Sequence, residues 1–268
     1  MTVRVGCSGF IYEHWRGRFY GPGTRGTELE AYARAFDTVE LNVTFYRMPS
    51  SATFRAWARR VPDDFVFAVK ASRYITHIRR LREVRESVDF LMERATELGD
   101  HLGPILLQLP PDLEVDPDNL LATLDGFPAG IRVALEPRHP SWFVDEVEAI
   151  LEDRNIALCL ADRRGPVTPL WHPADWSYLR FHGGGGAPRS CYSMAALGAW
   201  AGRVAAAWAD DPVDYVYFNN DFNACALRDA RRFATLLAER GLDPSRIPAI
   251  DDDVAEGPAI RRRSPPAA

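Results

Sequence analysis

The sequence predicts a single-domain α/β protein, a (β/α)8 TIM barrel with a parallel eight-stranded core. Three observations carry that expectation. Eight short apolar or alternating stretches are separated by seven or eight segments of helical spacing over about 240 residues, which matches a barrel of about 250 residues built from crossover-linked parallel strands. Each stretch ends in a polar or charged residue, as barrel strands do at the face where sites form. The turn Gly6-Cys7-Ser8-Gly9 after the first stretch lacks the G-x-G-x-x-G of an open dinucleotide-binding sheet.

Val3–Cys7 reads as the first strand, followed by a long aromatic loop (Phe10, Tyr12, His14, Trp15, Phe19, Tyr20) and a helix over Thr27–Phe36. Thr38–Asn42 is the second strand, leading to a helix over Ser51–Arg60. Phe65–Lys70 is the third, with Arg73, Thr76 and His77 on a loop and a long helix over Leu81–Leu98. Ile105–Leu109, almost wholly apolar, reads as a strand covered on both faces, stopped by Pro110-Pro111. A helix near Asn119–Leu124 follows. Next comes Ile131–Phe143, a short alternating strand running into Pro137 and Pro140, with Ser141 placed as the N-cap of a helix ending near Asp153. Ile156–Ala161, Trp176–Phe181 and Val213–Phe218 are the last three strands. No clear helix lies between Gly165 and Trp176, whereas Met194–Trp208 and Ala224–Arg240 have helical patterns.

The 268 residues are 47% hydrophobic, which suits one large core. Residues 1–249 read as the domain, and 250–268, rich in Pro, Asp, Arg and Ala, as a flexible tail. A net charge of -5 weighs against a global electrostatic grip on nucleic acid and leaves room for a local patch. Lys70 is the only lysine among 32 Lys and Arg residues, and it falls at a strand end. Cys7, Cys159, Cys191 and Cys225 show no C-x-x-C and no zinc spacing, so all four are expected to be reduced and structural. With no signal peptide and no apolar run near 18 residues, a cytoplasmic protein without membrane contact is expected.

Alternation places one set of polar residues toward the barrel axis at the C-terminal strand ends. They are Ser8, Glu40 with Asn42, Lys70, Gln108, Glu136 with Arg138, Asp162, Arg180 with His182, and Asn219. Carboxylates, an ammonium and an imidazole aimed at one axis exceed what stability requires, because buried charges must pair or cost several kcal/mol each, roughly.

Seven ordered motifs carry a resemblance. They are GCSGFIYEHWRGRFY (6–20), VELNVTFYRMP (39–49), FAVKASRYITH (67–77), LLQLPP (106–111), ALEPRHPSWF (134–143), YLRFHG (178–183) and YFNND (217–221). Together they resemble the bacterial family called domain of unknown function 72, over residues 3 to about 240. The resemblance implies a (β/α)8 barrel related in shape to sugar-isomerase and apurinic-endonuclease barrels, and it brings no established reaction.

Several chemistries stay open on these residues. Glu40, Glu136, Asp162, His182 and Asp221 suit a divalent metal. Glu40 and Glu136 suit an acid–base pair, set against two structural salt bridges, Glu40 with Lys70 and Glu136 with Arg138. The glycines from Gly183, with Lys70, Arg73, Arg138 and Arg180, suit a phosphate. Lys70 could form a Schiff base, although Glu40 on the adjacent strand is expected to keep it protonated. A non-catalytic module would use Phe10, Tyr12, Trp15, Tyr46, Trp142 and Tyr192 to stack a sugar or base.

The reading that combines these is an enzyme, hydrolase or isomerase in type, acting on a small anionic molecule such as a sugar phosphate or nucleotide fragment. Glu40, Lys70, Glu136, His139 and His182 are the candidate catalytic residues. Ser8, Tyr12, Asn42, Tyr46, Arg73, Gln108, Arg138, Trp142, Asp162, Arg180, Gly183, Asn219 and Asp221 are the candidate binding residues. Glu136→Gln is expected to abolish activity and spare the melting point.

Overall fold

In the computed structural model, which describes residues 2–163, 168–183, 191–208 and 213–255, eight parallel strands close into a barrel. They are β1 (Thr2–Ser8), β2 (Thr38–Leu41), β3 (Val66–Lys70), β4 (Leu102–Gln108), β5 (Val133–Glu136), β6 (Ala157–Asp162), β7 (Ser177–Phe181) and β8 (Val213–Phe218). Each strand pairs with its neighbours in sequence order, and β1 closes the circle by pairing with both β8 and β2. A two-residue strand, β9 (Asp243–Pro244), adds to β1.

Helices α1 (Glu28–Ala35), α2 (Val43–Tyr46), α3 (Ser51–Ala58), α4 (Arg85–Ala95), α5 (Pro117–Leu124), α6 (Asp145–Asp153), α7 (Met194–Ala207) and α8 (Cys225–Ala238) surround the strands. Three begin on side-chain caps: Ser50, Asp116 and Ser193 accept from Thr53, Asn119 and Ala196 N–H groups. Among the described residues, the β6–β7 connection holds no helix, as the sequence suggests.

The strands separate two apolar layers. The larger lies between strands and helices; the smaller fills the barrel with Ala68, Leu106, Ala134, Ala157, Cys159, Tyr178, Tyr215 and Tyr217. Small residues face the large tyrosines inside, which is how a narrow barrel is filled. Thr38 and Tyr217 hydroxyls meet at 2.7 Å across this interior. Gly6 belongs to the same constraint, because a Cβ there would lie 2.3 Å from the Thr38 carbonyl oxygen. The aromatic loop after β1 packs rather than dangles. Trp15 stacks on Tyr32, and the Tyr32 hydroxyl donates to the Thr38 carbonyl and accepts from the Cys7 N–H, both at 2.9 Å.

Five expectations are corrected. The helix expected over Leu81–Leu98 is split: Tyr74–Ile78 form a π-helical turn, Arg80, Leu81 and Glu83 take positive φ, and α4 starts only at Arg85. Ser141 caps no long helix; it lies in the 3-10 turn Pro140–Trp142, where its hydroxyl accepts from the Val115 N–H. Asp162 does not point to the axis. Cys159 faces inward, so Ala161 is the inward residue beside Arg180, and Asp162 pairs with Phe181 on the helix-facing side. Cys191 and Cys225 are not reduced but form a disulfide, Cα atoms 4.9 Å apart, tying the segment before α7 to the start of α8. Closure of a loop this long, 34 residues, constrains the unfolded chain by about 4 kcal/mol. Cys7 and Cys159 are free and buried, as expected. Finally, packing continues past residue 249: Ile250 packs on the core, Val254 is buried, and only 256–268 of the expected tail fall outside the described residues.

Candidate functional site

The C-terminal ends of β2, β5 and β7 bring three fully buried charges together: Glu40, Glu136 and Arg180. The Arg180 guanidinium bridges the two carboxylates, donating from Nη2 to Glu40 Oε1 at 2.8 Å and from Nη1 to Glu136 Oε2 at 2.5 Å. Tyr178, two residues earlier on β7, donates to Glu40 Oε2 at 2.7 Å. Arg138 holds the opposite side of Glu136, with Nε and Nη2 at 3.0 and 2.9 Å from Oε1.

This arrangement decides the protonation of Glu136. Burial alone would push its carboxyl up, but Arg180 and Arg138 outweigh burial and hold it well below the usual carboxylate range. Glu136 is therefore ionised throughout the neutral range and has no proton to donate as a general acid. The two glutamates share one guanidinium instead of dividing acid and base roles. Of the two structural bridges weighed from the sequence, Glu136–Arg138 is present, whereas Glu40 pairs with Arg180 in place of Lys70.

Lys70 stands at the end of β3, with 8% of its surface exposed. Its Nζ donates to Gln108 Oε1 on β4 at 2.8 Å and sits 4.0 Å above the centre of the Phe45 ring. The hydrogen-bond partner is a neutral amide, and among the described residues no carboxylate contact anchors the proton. Burial, and then the charge of Arg180, push the ammonium down from 10.5 to about 8. His182, two residues after Arg180, lies 3.7 Å from Glu136 Oε1, and its Nδ1 is 3.1 Å from Asn219 Nδ2. Burial and Arg180 push this imidazole down to about 3, so it is neutral at physiological pH.

The remaining candidates divide. Asn42 links the rim, donating from Nδ2 to the Ser8 carbonyl and to Asn219 Oδ1, both at 3.4 Å. Tyr12 donates to the same Ser8 carbonyl, and the Ser8 side chain itself is buried. Tyr46 and Arg73 stand exposed on the segments after β2 and β3. Asp221 fastens the first loop: it accepts from Trp15 Nε1 at 2.8 Å and lies 2.8 Å from His14 Nε2. The Gly183 N–H donates to the Tyr192 hydroxyl at 2.8 Å, so it is already used, and Gly184–Gly186 lie outside the described residues.

Two candidates stay out of the site. Trp142 is fully buried, with Nε1 donating to the Leu113 carbonyl at 2.7 Å, so it is core and offers no binding surface. His139 faces its own turn, where Nδ1 accepts from the Ser141 N–H at 3.3 Å and meets Ser141 Oγ at 2.8 Å. Sequence reasoning missed Tyr178 and Phe45 as parts of the site. Tyr178 shares the parity of Arg180 and could have been found that way; Phe45 sits on the one-turn helix α2, which has no sequence signal.

The five donors weighed for a metal do not assemble. Asp162 faces outward, Asp221 is engaged with the first loop, and a guanidinium stands between Glu40 and Glu136 where a cation would be held. Among the described residues, no group of three or more His, Cys, Asp or Glu side chains could hold a metal ion. These residues do not fit a divalent ion bridging the two glutamates. No helix of the described residues is long and apolar enough to cross a membrane.

Comparison with known proteins agrees with this architecture. A protein of the DUF72 family from Thermotoga maritima superposes with a TM-score of 0.79 at 27% identity, covering 89% of this chain and 100% of that one. D-psicose 3-epimerase from Clostridium cellulolyticum, at 12% identity and a TM-score of 0.52, covering 90% of this chain and 98% of that one, shares the fold alone. The UPF0759 protein YecE of Escherichia coli is 35% identical over 120 residues, 44% of this chain and 43% of that protein. YunF of Bacillus subtilis, also a UPF0759 protein, is 29% identical over 133 residues, 46% and 47% of the two chains. The aligned stretches thus span less than half of these curated relatives. The model of the family described as protein of unknown function DUF72 matches residues 4–251, nearly the whole described barrel, and the chain belongs to that family.

Proposed function

We propose that this barrel is an enzyme acting at its C-terminal mouth on a small anionic molecule of the sugar-phosphate or nucleotide-fragment kind. The observation that carries the reading is an excess of cations. Arg180, Arg138 and Lys70 face two carboxylates, Glu40 and Glu136, while His182 is neutral. One positive charge is left over in a site where an approaching anion would meet low dielectric and little screening. Arg138 is the accessible end of the cluster, with 24% of its side chain exposed, and is the group to meet the anion. Lys70, near its own titration point at neutral pH, supplies proton transfer. Glu40 and Glu136 act as the frame that fixes the two arginines.

A second reading, a non-catalytic binder of sugars or nucleic-acid fragments, draws on the loops around the mouth. Of the aromatics expected to stack a ligand, Phe10, Trp15, Trp142 and Tyr192 are buried, but Tyr46, Tyr74 and Phe222 expose between 43% and 75% of their surface there, and aromatic faces stack bases and sugars. Calorimetry with inorganic phosphate and a panel of sugar phosphates, followed by product analysis, separates the readings. Saturable binding that weakens about tenfold or more in Arg138→Met, with turnover of one member, supports the enzyme. Binding without product favours the binder. Equal affinity for neutral sugars contradicts the anion site.

A further inference from the structure

The lysine at the mouth has a second chemical use that proton transfer does not exhaust. Lys70 is the only lysine in a chain that uses arginine at every other basic position. Arginine cannot lose its proton in a protein, and lysine can. A chain so biased toward arginine nevertheless places its one amine on the inward face of a barrel strand, buried and beside two guanidiniums. If only charge were needed, arginine would provide it here as it does at Arg138 and Arg180. The neighbours point the same way. Both carboxylates that could have claimed the ammonium are occupied by Arg180, Tyr178 and Arg138. Glu40 still favours the ammonium through its charge, but burial and Arg180 outweigh it. What touches Nζ is a neutral acceptor, Gln108 Oε1, and the face of Phe45. Thr44, one residue before Phe45, donates through Oγ1 to the Lys70 carbonyl at 2.6 Å, which fixes the strand end beneath the amine.

We infer that Lys70 is a nucleophile that forms an imine with an aldehyde or ketone carried by the anionic substrate. The neutral amine attacks the carbonyl carbon, forming the C–N bond. The carbonyl oxygen then leaves as water with the two amine protons, and one further proton taken up from solvent gives the iminium. No oxidant, reductant or metal is needed. The iminium withdraws electrons from the adjacent carbon, so isomerisation or carbon–carbon bond cleavage next to the carbonyl becomes the reaction class. The inference rests on the anion-site reading above, and it identifies the other end of the substrate. The depressed basicity of Lys70 agrees with it, since an amine at about 8 stays mostly charged near physiological pH yet holds a neutral, nucleophilic fraction of about a fifth.

The test is reductive trapping on the full-length protein. Glycolaldehyde phosphate is the probe, glycolaldehyde its uncharged counterpart, and sodium cyanoborohydride the reductant that converts an imine to a stable secondary amine. Peptide mass mapping reads the adduct, and calorimetry with inorganic phosphate reads the anion site independently. An adduct on Lys70 that exceeds labelling of the α-amine, favours the phosphorylated probe about tenfold or more, and is lost when the protein is unfolded supports the inference. Its yield should be half-maximal near pH 8. Lys70→Arg, which keeps the charge, should bind phosphate and give no adduct; if that variant does not fold, Lys70→Met should give no adduct and bind phosphate more weakly. Phosphate binding with no adduct on wild-type Lys70 overturns the imine and leaves the anion site standing. An adduct formed equally with both probes, without phosphate binding, keeps the nucleophile and overturns the anion site.

Discussion

The two sides of the barrel mouth bury cations in opposite ways. On the β2–β5–β7 side, Arg180 is fully enclosed and hydrogen-bonded to a carboxylate at each end of its guanidinium. On the β3–β4 side, Lys70 is almost as buried but has a neutral amide for a partner. Desolvation opposes both charges. The paired arginine keeps its charge, held up by Glu40 and Glu136, while the lysine moves toward neutrality. The difference teaches where reactivity lies. A buried ion cluster with its bonds satisfied is a frame; a buried amine hydrogen-bonded to a neutral amide is chemically available.

Four substitutions test that division, from the largest expected effect to the smallest. Arg180→Met should lose about 4 kcal/mol or fail to accumulate folded, because it leaves two carboxylates buried against each other. Urea unfolding at pH 7 checks this, and a loss under about 1 kcal/mol would show that the cluster is not a frame.

Glu136→Gln should cost about 3 kcal/mol at pH 7, contrary to the expectation that it spares the melting point, since two guanidiniums lose a partner. The folded carboxyl titrates below its unfolded value of about 4.3, so its contribution is present above that pH and fades as the pH falls. The gap between wild type and variant, followed by unfolding at a series of pH values, should narrow below about pH 4.

Lys70→Met should have the opposite sign, stabilising the protein by about 2 kcal/mol at pH 7 while removing any activity. The folded amine titrates near 8 against about 10.4 unfolded, so the cost of charging it is complete below 8 and gone above 10.4. The stabilisation should therefore vanish by about pH 10.5; an unchanged gain there would assign it to packing alone. His139→Ala is the control, with about 1 kcal/mol lost through the turn it caps and no change in phosphate affinity.

Strand parity and strand-end chemistry were enough to place Ser8, Glu40, Lys70, Gln108, Glu136 and Arg180 on one axis. Periodicity says which face a side chain takes. It does not say which residue it meets across a barrel, so parity points Glu40 to its strand neighbour Lys70, whereas its partner is Arg180, 140 residues away. The error at Asp162 has a different origin. Polar character at the strand end suggested an inward residue, but the alternation Ala157, Cys159, Ala161 carries the small side chains that a narrow interior requires. The Cys191–Cys225 bond joins positions separated by 34 residues, which the packing of α7 beside α8 brings together and no local spacing reveals. His139 and Ser141, adjacent in type to catalytic pairs, turn out to satisfy each other.

The most direct test of the account is the titration of Lys70 itself. With lysine labelled by ¹³C at Cε, the spectrum contains one lysine resonance, because the chain has one lysine. Its chemical shift followed from pH 6 to 11 should turn at about 8 in the folded protein. A midpoint near 10.4, the value of a solvated lysine, would mean that the ammonium is stably charged, and the division between frame and reactive amine would not hold.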